Sequence, residues 1–297
     1  MTIAVKIRER LDDQEVTGVI ALVDAAAEAD SVSPLNEHVM LRLRYGADAG
    51  TRALLAYDGD ALAGFAHLDP PDSEGATGEL VVHPAHRRRG VGRRLLESAL
   101  AESGGRLRLW THGDHPGAGR LATALGFTRA RSLWRMRRPL ADPLPPAVLP
   151  DGVRLRAFEP GADEDAWLAV NARAFAHHPE QGAWTADDLL RREREPWFDP
   201  SGFFLAVRGD RIVGFHWTKV HDDEAEPIGE VYVVGVDPSE QGGGLGRALT
   251  IAGLEHLRSR GLAQVILYVD EDNPSAVRLY ERLGFTRFAV DVMYRHP

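Results

Sequence analysis

The run EVYVVGVDPSEQGGGLGRALT, Glu230 to Thr250, decides how this chain folds. Its first nine residues are apolar and β-branched and end in a proline, the pattern of a buried strand running into a turn. Four glycines then fall within the five positions Gly242 to Gly246, and helix-forming residues follow at once. Ordered glycine is costly, so a cluster of it points to unusual backbone dihedrals or to another molecule approaching closely. Between a strand end and a helix start, bare amide groups and the positive end of the helix dipole suit an anion.

The same layout occurs earlier in the chain. ELVVHPAHRRRGVGRRLL, Glu79 to Leu96, places Pro84 where the later run has Pro238. ALGFTRA (Ala124 to Ala130) matches RLGFTRF (Arg282 to Phe288), and LLAYDGDALAGFAHL (Leu54 to Leu68) echoes FLAVRGDRIVGFHWT (Phe204 to Thr218). The last two strings each read as two strands around a tight polar turn. Between the copies lies ADPLPPAVLPDG, Ala141 to Gly152, too rich in proline for a helix or a central strand. Two tandem domains follow, 1–140 and 152–297, with a connector over 141–151.

In the second copy the patterns predict strands at Val153 to Phe158, Glu230 to Val236, Val265 to Val269 and Thr286 to Tyr294, plus a strand pair before Glu230. Helices are predicted at Asp163 to Phe175, Thr185 to Glu193, from the glycine turn to about Ser259, and at Pro274 to Arg282. This is the α+β class, each domain a mixed, mostly antiparallel sheet flanked by helices.

Composition narrows the function classes. A length of 297 residues accommodates two domains of common size, and 44% apolar with 27% charged residues is ordinary for a globular protein. The absence of cysteine excludes disulfides, a thiolate nucleophile and thiolate metal sites. A net charge of −9 argues against general nucleic-acid binding. Asp24 interrupts the apolar run Val19 to Val23, and MTIAVKIRERLDD lacks a signal-peptide layout, so the expectation is a cytoplasmic monomer without a membrane partner. His177 and His178, with His216 and His221 downstream, invite a metal. Adjacent helical histidines point about 100° apart, however, and no carboxylate stands in ligand spacing, so no metal is expected. Trp184, Trp197 and Trp217 are read as core or pocket wall.

The glycine turn fails two phosphate-binding patterns. A P-loop needs lysine then serine or threonine after its last glycine, where Arg247 and Ala248 stand. The dinucleotide fingerprint needs a small third residue, where Leu249 and Leu95 stand. What remains is Gln241-x-x-Gly244-x-Gly246 and Arg87-x-x-Gly90-x-Gly92. This pattern resembles the GNAT acetyltransferase superfamily, whose turn holds the pyrophosphate of coenzyme A. Arg87, Arg88, Arg89, Arg93 and Arg94 form a basic cluster on the first copy, open to three readings: cofactor binding, a solvated face, or, least favoured in an acidic chain, nucleic acid.

The resemblance implies an acetyl thioester between the fourth and fifth strands and a tyrosine on the following helix that protonates the departing sulfur. Tyr280, four residues before Gly284, fits that role, and Ala122 stands at its place in the first copy. Glu230, eight residues before Pro238, fits a base acting through water, and the same count in the first copy gives Ala76. Reference values near 8.5 for a thiol and 10 for tyrosine make proton donation by Tyr280 only slightly uphill. Catalysis is therefore expected in the second domain alone.

FAHHPEQGAWTADDLL (Phe175 to Leu190), EPWFDPSGFFLAV (Glu195 to Val207), GFHWTKVH (Gly214 to His221), GEVYVVGVDP (Gly229 to Pro238) and, more weakly, SPLNEHVMLRLR (Ser33 to Arg44) resemble the mycothiol synthase family. These tandem GNAT enzymes acetylate the cysteinyl amine of a cysteine–glucosamine–inositol conjugate. The resemblance implies acceptor contacts at Glu37, Glu180, Lys219, Glu230 and Tyr268. It implies acetyl-CoA contacts at Val234, Gly235, Val236, Gln241, Gly242, Gly243, Gly244, Leu245, Gly246, Arg247, Asn273, Pro274, Ser275, Ala276, Val277 and Arg278. In the first domain the matching positions are Leu80, Val81, Val82, Arg88, Arg89, Gly90, Val91, Gly92 and Arg93. Two other functions stay open: a GNAT enzyme for another small amine or a protein N-terminus, and a non-catalytic acyl-CoA sensor.

Overall fold

The computed structural model describes residues 3–222 and 226–297, without the side chains of residues 179 and 180. The first copy contributes β1 (Ile3–Arg8), α1 (Asp13–Asp30), α2 (Glu37–Tyr45), β2 (Arg52–Asp58), β3 (Ala61–Leu68), β4 (Ala76–Val82), α3 (Val91–Glu102), β5 (Leu107–Thr111), α4 (Pro116–Ala124) and β6 (Thr128–Pro139). The second contributes β7 (Val153–Ala157), α5 (Glu164–Ala174), α6 (Pro179–Gly182), α7 (Ala186–Glu193), β8 (Phe203–Arg208), β9 (Arg211–His221), β10 (Ile228–Val236), α8 (Leu245–Ser259), β11 (Gln264–Asp270), α9 (Pro274–Arg282) and β12 (Thr286–Arg295). The elements predicted for the second copy all form, with ends shifted by a residue or two. The short α6 was not predicted; its single turn is too brief to leave a periodic pattern. Among the described residues no helix is long and apolar enough to cross a membrane.

By their contacts the residues form two compact units, Met1–Leu133 with Ala289–Pro297, and Trp134–Phe288. Strands β6 and β12 each run across that division. In the first unit the strand order is β1-β2-β3-β4-β5-β12, with β4 and β5 parallel and the other pairs antiparallel. In the second it is β6-β11-β10-β9-β8-β7, with β10 and β11 parallel. Val292, Met293, Tyr294 and Arg295 of β12 pair with Thr111 back to Arg108 of β5, so the C-terminal strand completes the first unit's sheet.

Helix starts are written in the sequence. Asp12 and Glu15 form a capping box at α1, Asn36 caps α2 through the amide of Val39, and Thr185 with Asp188 boxes α7. Each sheet buries both faces. In the second unit, Trp167 of α5 and Trp217 of β9 are fully buried with Phe203, Phe215 and Phe158 on one face, while Ile251, Leu254 and Leu257 of α8 cover the other. Trp217 stacks on Phe203 at 4.4 Å, and Phe203 stacks on Phe158 at the same separation. Truncating one such aromatic would cost about 3–5 kcal/mol, so this wall holds β9 and β10 firmly.

Candidate functional site

The turn after β10 is built by its side chains and left open by its glycines. Asp237 accepts from the amide and hydroxyl of Ser239 and from Arg173 Nε at 2.9 Å. Those hydrogen bonds, led by Ser239, outweigh burial and hold its carboxyl at about 2. Glu240 is clamped by Arg208 and Arg211 at 2.9–3.1 Å. Gly242 and Gly244 hold φ of +86° and +83°, and a Cβ added at Gly242, Gly243 or Gly244 would meet nothing within 4 Å. Gly244 is the N-cap of α8 and offers no side-chain cap, so the helix presents bare amides at Leu245, Gly246 and exposed Arg247. An open, uncapped and positively polarised turn fits a diphosphate. Gln241 braces it, its Nε2 donating to Val236 O at 3.3 Å.

Beside this turn the sheet opens. Parallel pairing between β10 and β11 runs from Gly229↔Val265 through Val231↔Leu267 and goes no further. At the same point β10 bulges against β9, inserting Tyr232 between Val231 and Val233. Val234, Gly235 and Val236 therefore lie on a strand edge whose neighbour has parted from it. Asn273, Pro274, Ser275, Ala276, Val277 and Arg278 open α9, with Asn273 capping it through the amide of Ala276 at 3.1 Å and accepting from Ser275 Oγ at 2.9 Å.

Glu230 is buried where the strands begin to part, directly opposite Lys219 of β9. Its Oε2 lies 2.6 Å from His221 Nε2. Lys219 Nζ sits over the rings of Trp197 at 4.4 Å and Tyr232 at 5.4 Å, and Arg192 Nε donates to the Tyr232 hydroxyl at 2.7 Å. Ile266 lies beside Glu230 on β11, so strand alternation places half-exposed Tyr268 and then Asp270 on the same face. Arg135 covers the Tyr268 ring at 5.5 Å, and His178 reaches Asp270 at 3.2 Å. The second unit thus brings together Glu230, Lys219 and Tyr268 on one sheet face. Glu180 falls outside the described side chains, and Glu37 begins α2 of the other unit.

Tyr280 of α9 is buried among Val277, Phe285 and Met136, its ring edge-on to Phe285 at 5.8 Å. Burial pushes its hydroxyl up to about 12. Desolvation thus strengthens the hold of Tyr280 on its proton beyond what the reference value gives. Among the remaining histidines, His216 is fully buried, its Nδ1 donating to Leu249 O at 2.7 Å, and burial lowers it to about 4.

The first unit carries the same scaffold with different side chains. Arg88 and Gly90 hold φ of +61° and +90° where the later copy has Gly242 and Gly244, and Gly90 caps α3 with Val91 and Gly92 following. Two of the basic cluster are committed elsewhere. Arg87 makes a bidentate pair with Asp30 at 2.7 Å, and Arg89 pairs with buried Asp58 at 2.8 Å. Arg93 faces Glu97 at 3.7 Å. Ala122 is buried at the place of Tyr280, and Tyr294 of β12 packs in the same cluster. For Glu230 the count from the proline gives Ala76, but the bulge shifts the register. Ala76 pairs with Leu107 as Gly229 pairs with Val265, so the counterpart is Thr77. Leu80, Val81 and Val82 end β4, one residue beyond Glu79, which pairs with Trp110.

His221, which the sequence offered only among metal candidates, stands against Glu230. It stands nine positions from Glu230 across a hairpin, and only the β9–β10 register brings the two together.

The acetyltransferase (GNAT) family pattern matches residues 19–127 and 167–285. A protein of Thermobispora bispora named mycothiol acetyltransferase is 67% identical over 99% of this chain and all of its own length. One of the same name from Streptosporangium roseum is 60% identical, again over 99% of this chain and all of its own. Among solved structures, a GCN5-related N-acetyltransferase from Sphaerobacter thermophilus superposes with a TM-score of 0.71 at 26% identity, covering 99% of this chain and 96% of that one. A tandem GNAT protein of the clavulanic acid pathway, at 22% identity and a TM-score of 0.73 over 98% of both chains, shares the fold. Its two matched regions, its fold and its near-complete similarity to these relatives lead to one conclusion: this chain is an acetyltransferase belonging to the GNAT family, within the group of mycothiol acetyltransferases.

Proposed function

We propose that the chain moves the acetyl group of acetyl-CoA onto the cysteinyl amine of a cysteine–glucosamine–inositol conjugate, giving mycothiol, and that the second unit alone carries the chemistry. The observation that carries acetyl transfer is the placement of buried Glu230 where β10 and β11 part, next to an uncapped glycine turn. The name borne by relatives up to 67% identical supports the choice of acceptor. The acceptor is a small molecule, and a net charge of −9 speaks against nucleic acid as a partner. We take the protein to work as a cytoplasmic monomer.

Acetyl-CoA supplies an activated acyl thioester when bound. The amides of residues 242–247 and exposed Arg247 would hold its diphosphate, with Gln241 bracing the turn and Asn273 to Arg278 flanking it. The strand-edge amides of Val234 to Val236 would polarise the thioester carbonyl. An α-amine titrates near 7.7–8.0, against about 10.4 for lysine, so a carboxylate base suffices to take the proton that the attacking nitrogen sheds. Glu230 fills that role. Lys219 and Tyr268 orient the acceptor from the same face. Tyr280 would donate its hydroxyl proton toward the departing sulfur, burial having raised that hydroxyl above its ordinary value. In the first unit Leu80 to Val82 and Arg88 to Arg93 form a second diphosphate cradle without proton-handling side chains.

The test is direct. Purified protein, acetyl-CoA and a panel comprising the cysteinyl conjugate, an aminoglycoside and a peptide N-terminus are incubated and resolved by mass spectrometry. Single acetylation of the cysteinyl amine at the highest kcat/KM is expected. Preference for an amine without a thiol would overturn the acceptor assignment, and acetyl-CoA binding without any acetylation would leave a sensor as the better reading.

A further inference from the structure

The base assigned to Glu230 needs one carboxylate oxygen presented to the amine, and a glutamate on a strand has several rotatable bonds to lose before it can do so. The β9–β10 register supplies the constraint. Lys219 lies directly opposite Glu230, so His221, two residues on, shares that face at the diagonal position. Its Nε2 lies 2.6 Å from Glu230 Oε2. An ionised carboxylate has no proton to give, so the imidazole nitrogen donates. Among the described residues no other side chain bonds to Glu230, which leaves Oε1 uncommitted. The two groups differ in access as well: the Glu230 side chain is 8% exposed and that of His221 27%. Lys219 is directed over the faces of Trp197 and Tyr232.

We propose that His221 is a positioning residue for acetyl transfer: it ties down Oε2 of Glu230 and so leaves Oε1 as the one oxygen that receives the amine proton. The bonds formed and broken are those of the transfer already described; His221 adds no step and touches neither substrate. The inference rests on reading Glu230 as the base, and the experiment separates the two.

Four variants of the full chain are compared: His221→Gln, His221→Asn, His221→Leu and Glu230→Gln. Glutamine keeps an N–H donor at the reach of Nε2, asparagine carries one only at the reach of Nδ1, and leucine carries none. His221→Leu and His221→Asn are expected to lower kcat by about 10–100-fold, the scale of a misplaced catalytic group, with KM for acetyl-CoA within about twofold. His221→Gln is expected to recover most of that loss. Equal rates in the Gln and Asn variants, or a rise in KM without loss of kcat, would overturn the positioning role. The Gln and Asn variants are of similar size and polarity, so their ratio reads geometry even where the leucine variant folds poorly. An active Glu230→Gln enzyme would instead overturn the base on which the inference stands.

Discussion

Two copies of one turn, at Arg88 and at Gly242, sit on two copies of one strand junction, and the junctions differ in how they are closed. In the first unit parallel pairing runs one step further, to Glu79↔Trp110. There Glu79 is buried, its Oε1 3.0 Å from His112 Nε2 and its Oε2 accepting the amide of Asn36 at 2.7 Å. The other imidazole nitrogen lies 3.4 Å from Asp291, so β4, the end of β5 and β12 are tied by charge. In the second unit, where Tyr232 bulges from β10, the pairing ends one step sooner, at Val231, the residue after Glu230. The neighbouring packing is also exchanged: Ala122 packs with Tyr294 in one unit, Tyr280 with Met136 in the other. Only the second of these pairs puts the phenol on the helix. One junction is tied by ions and the other parts sooner, and a single extra residue in the strand distinguishes the two.

The largest effect should come from breaking the closed junction. Burial would push the His112 imidazole down, but Glu79 and Asp291 outweigh it by charge and hydrogen bonding and raise it to about 10. Removing the cation shared by buried carboxylates leaves them uncompensated, so His112→Ala should cost the first unit about 3–5 kcal/mol in denaturant unfolding. The pH dependence has a definite sign. A histidine raised above its unfolded value near 6.5 contributes fully below that pH and loses the contribution as pH rises toward about 10. The first unit's unfolding midpoint should therefore fall across that window, and fall less in His112→Gln. A flat profile would show that the three groups do not act as a charged unit.

That contrast also marks what was legible in the sequence. The duplication, the glycine turn and the Tyr280/Ala122 difference could be read because each rests on local residue types at fixed spacing. The bulge could not, since one inserted residue in an apolar strand changes no pattern; counting eight back from Pro84, as from Pro238 to Glu230, reached Ala76 where the register gives Thr77. Nor could the destination of β12, whose alternation suits a neighbour in either unit, nor the His221–Glu230 contact. Pairing between strands is a non-local fact, and it is set by register rather than by composition.

A second prediction sharpens the comparison at the helix after the open junction. Tyr280→Phe keeps the buried ring and removes only the hydroxyl, so kcat should fall by about 10²-fold, some 2.7 kcal/mol, with acetyl-CoA affinity little changed. Tyr294→Phe, the same deletion in the first unit, should leave turnover within about twofold of the parent. Steady-state kinetics on the two variants checks both. Equal losses would mean that the first unit's tyrosine also serves the reaction, and no loss in either would mean that solvent alone attends the sulfur.

The smallest effect lies in the turn itself, where the two copies take one backbone shape with different residues. Arg88 holds φ of +61° at the place where Gly242 holds +86°. A left-handed conformation costs a residue with a Cβ about 1–2 kcal/mol, and glycine gives back about 0.5–1 kcal/mol through the freedom it has when unfolded. Arg88→Gly should therefore stabilise the first unit by up to about 1 kcal/mol, and Gly242→Arg should destabilise the second by about as much. Among the described residues the Arg88 side chain makes no hydrogen bond or ion pair that would oppose the change. Denaturant unfolding of both variants without ligand measures the pair. If Arg88→Gly instead destabilises, the strained arginine is held by an interaction of its own, and the two turns are alike in backbone only.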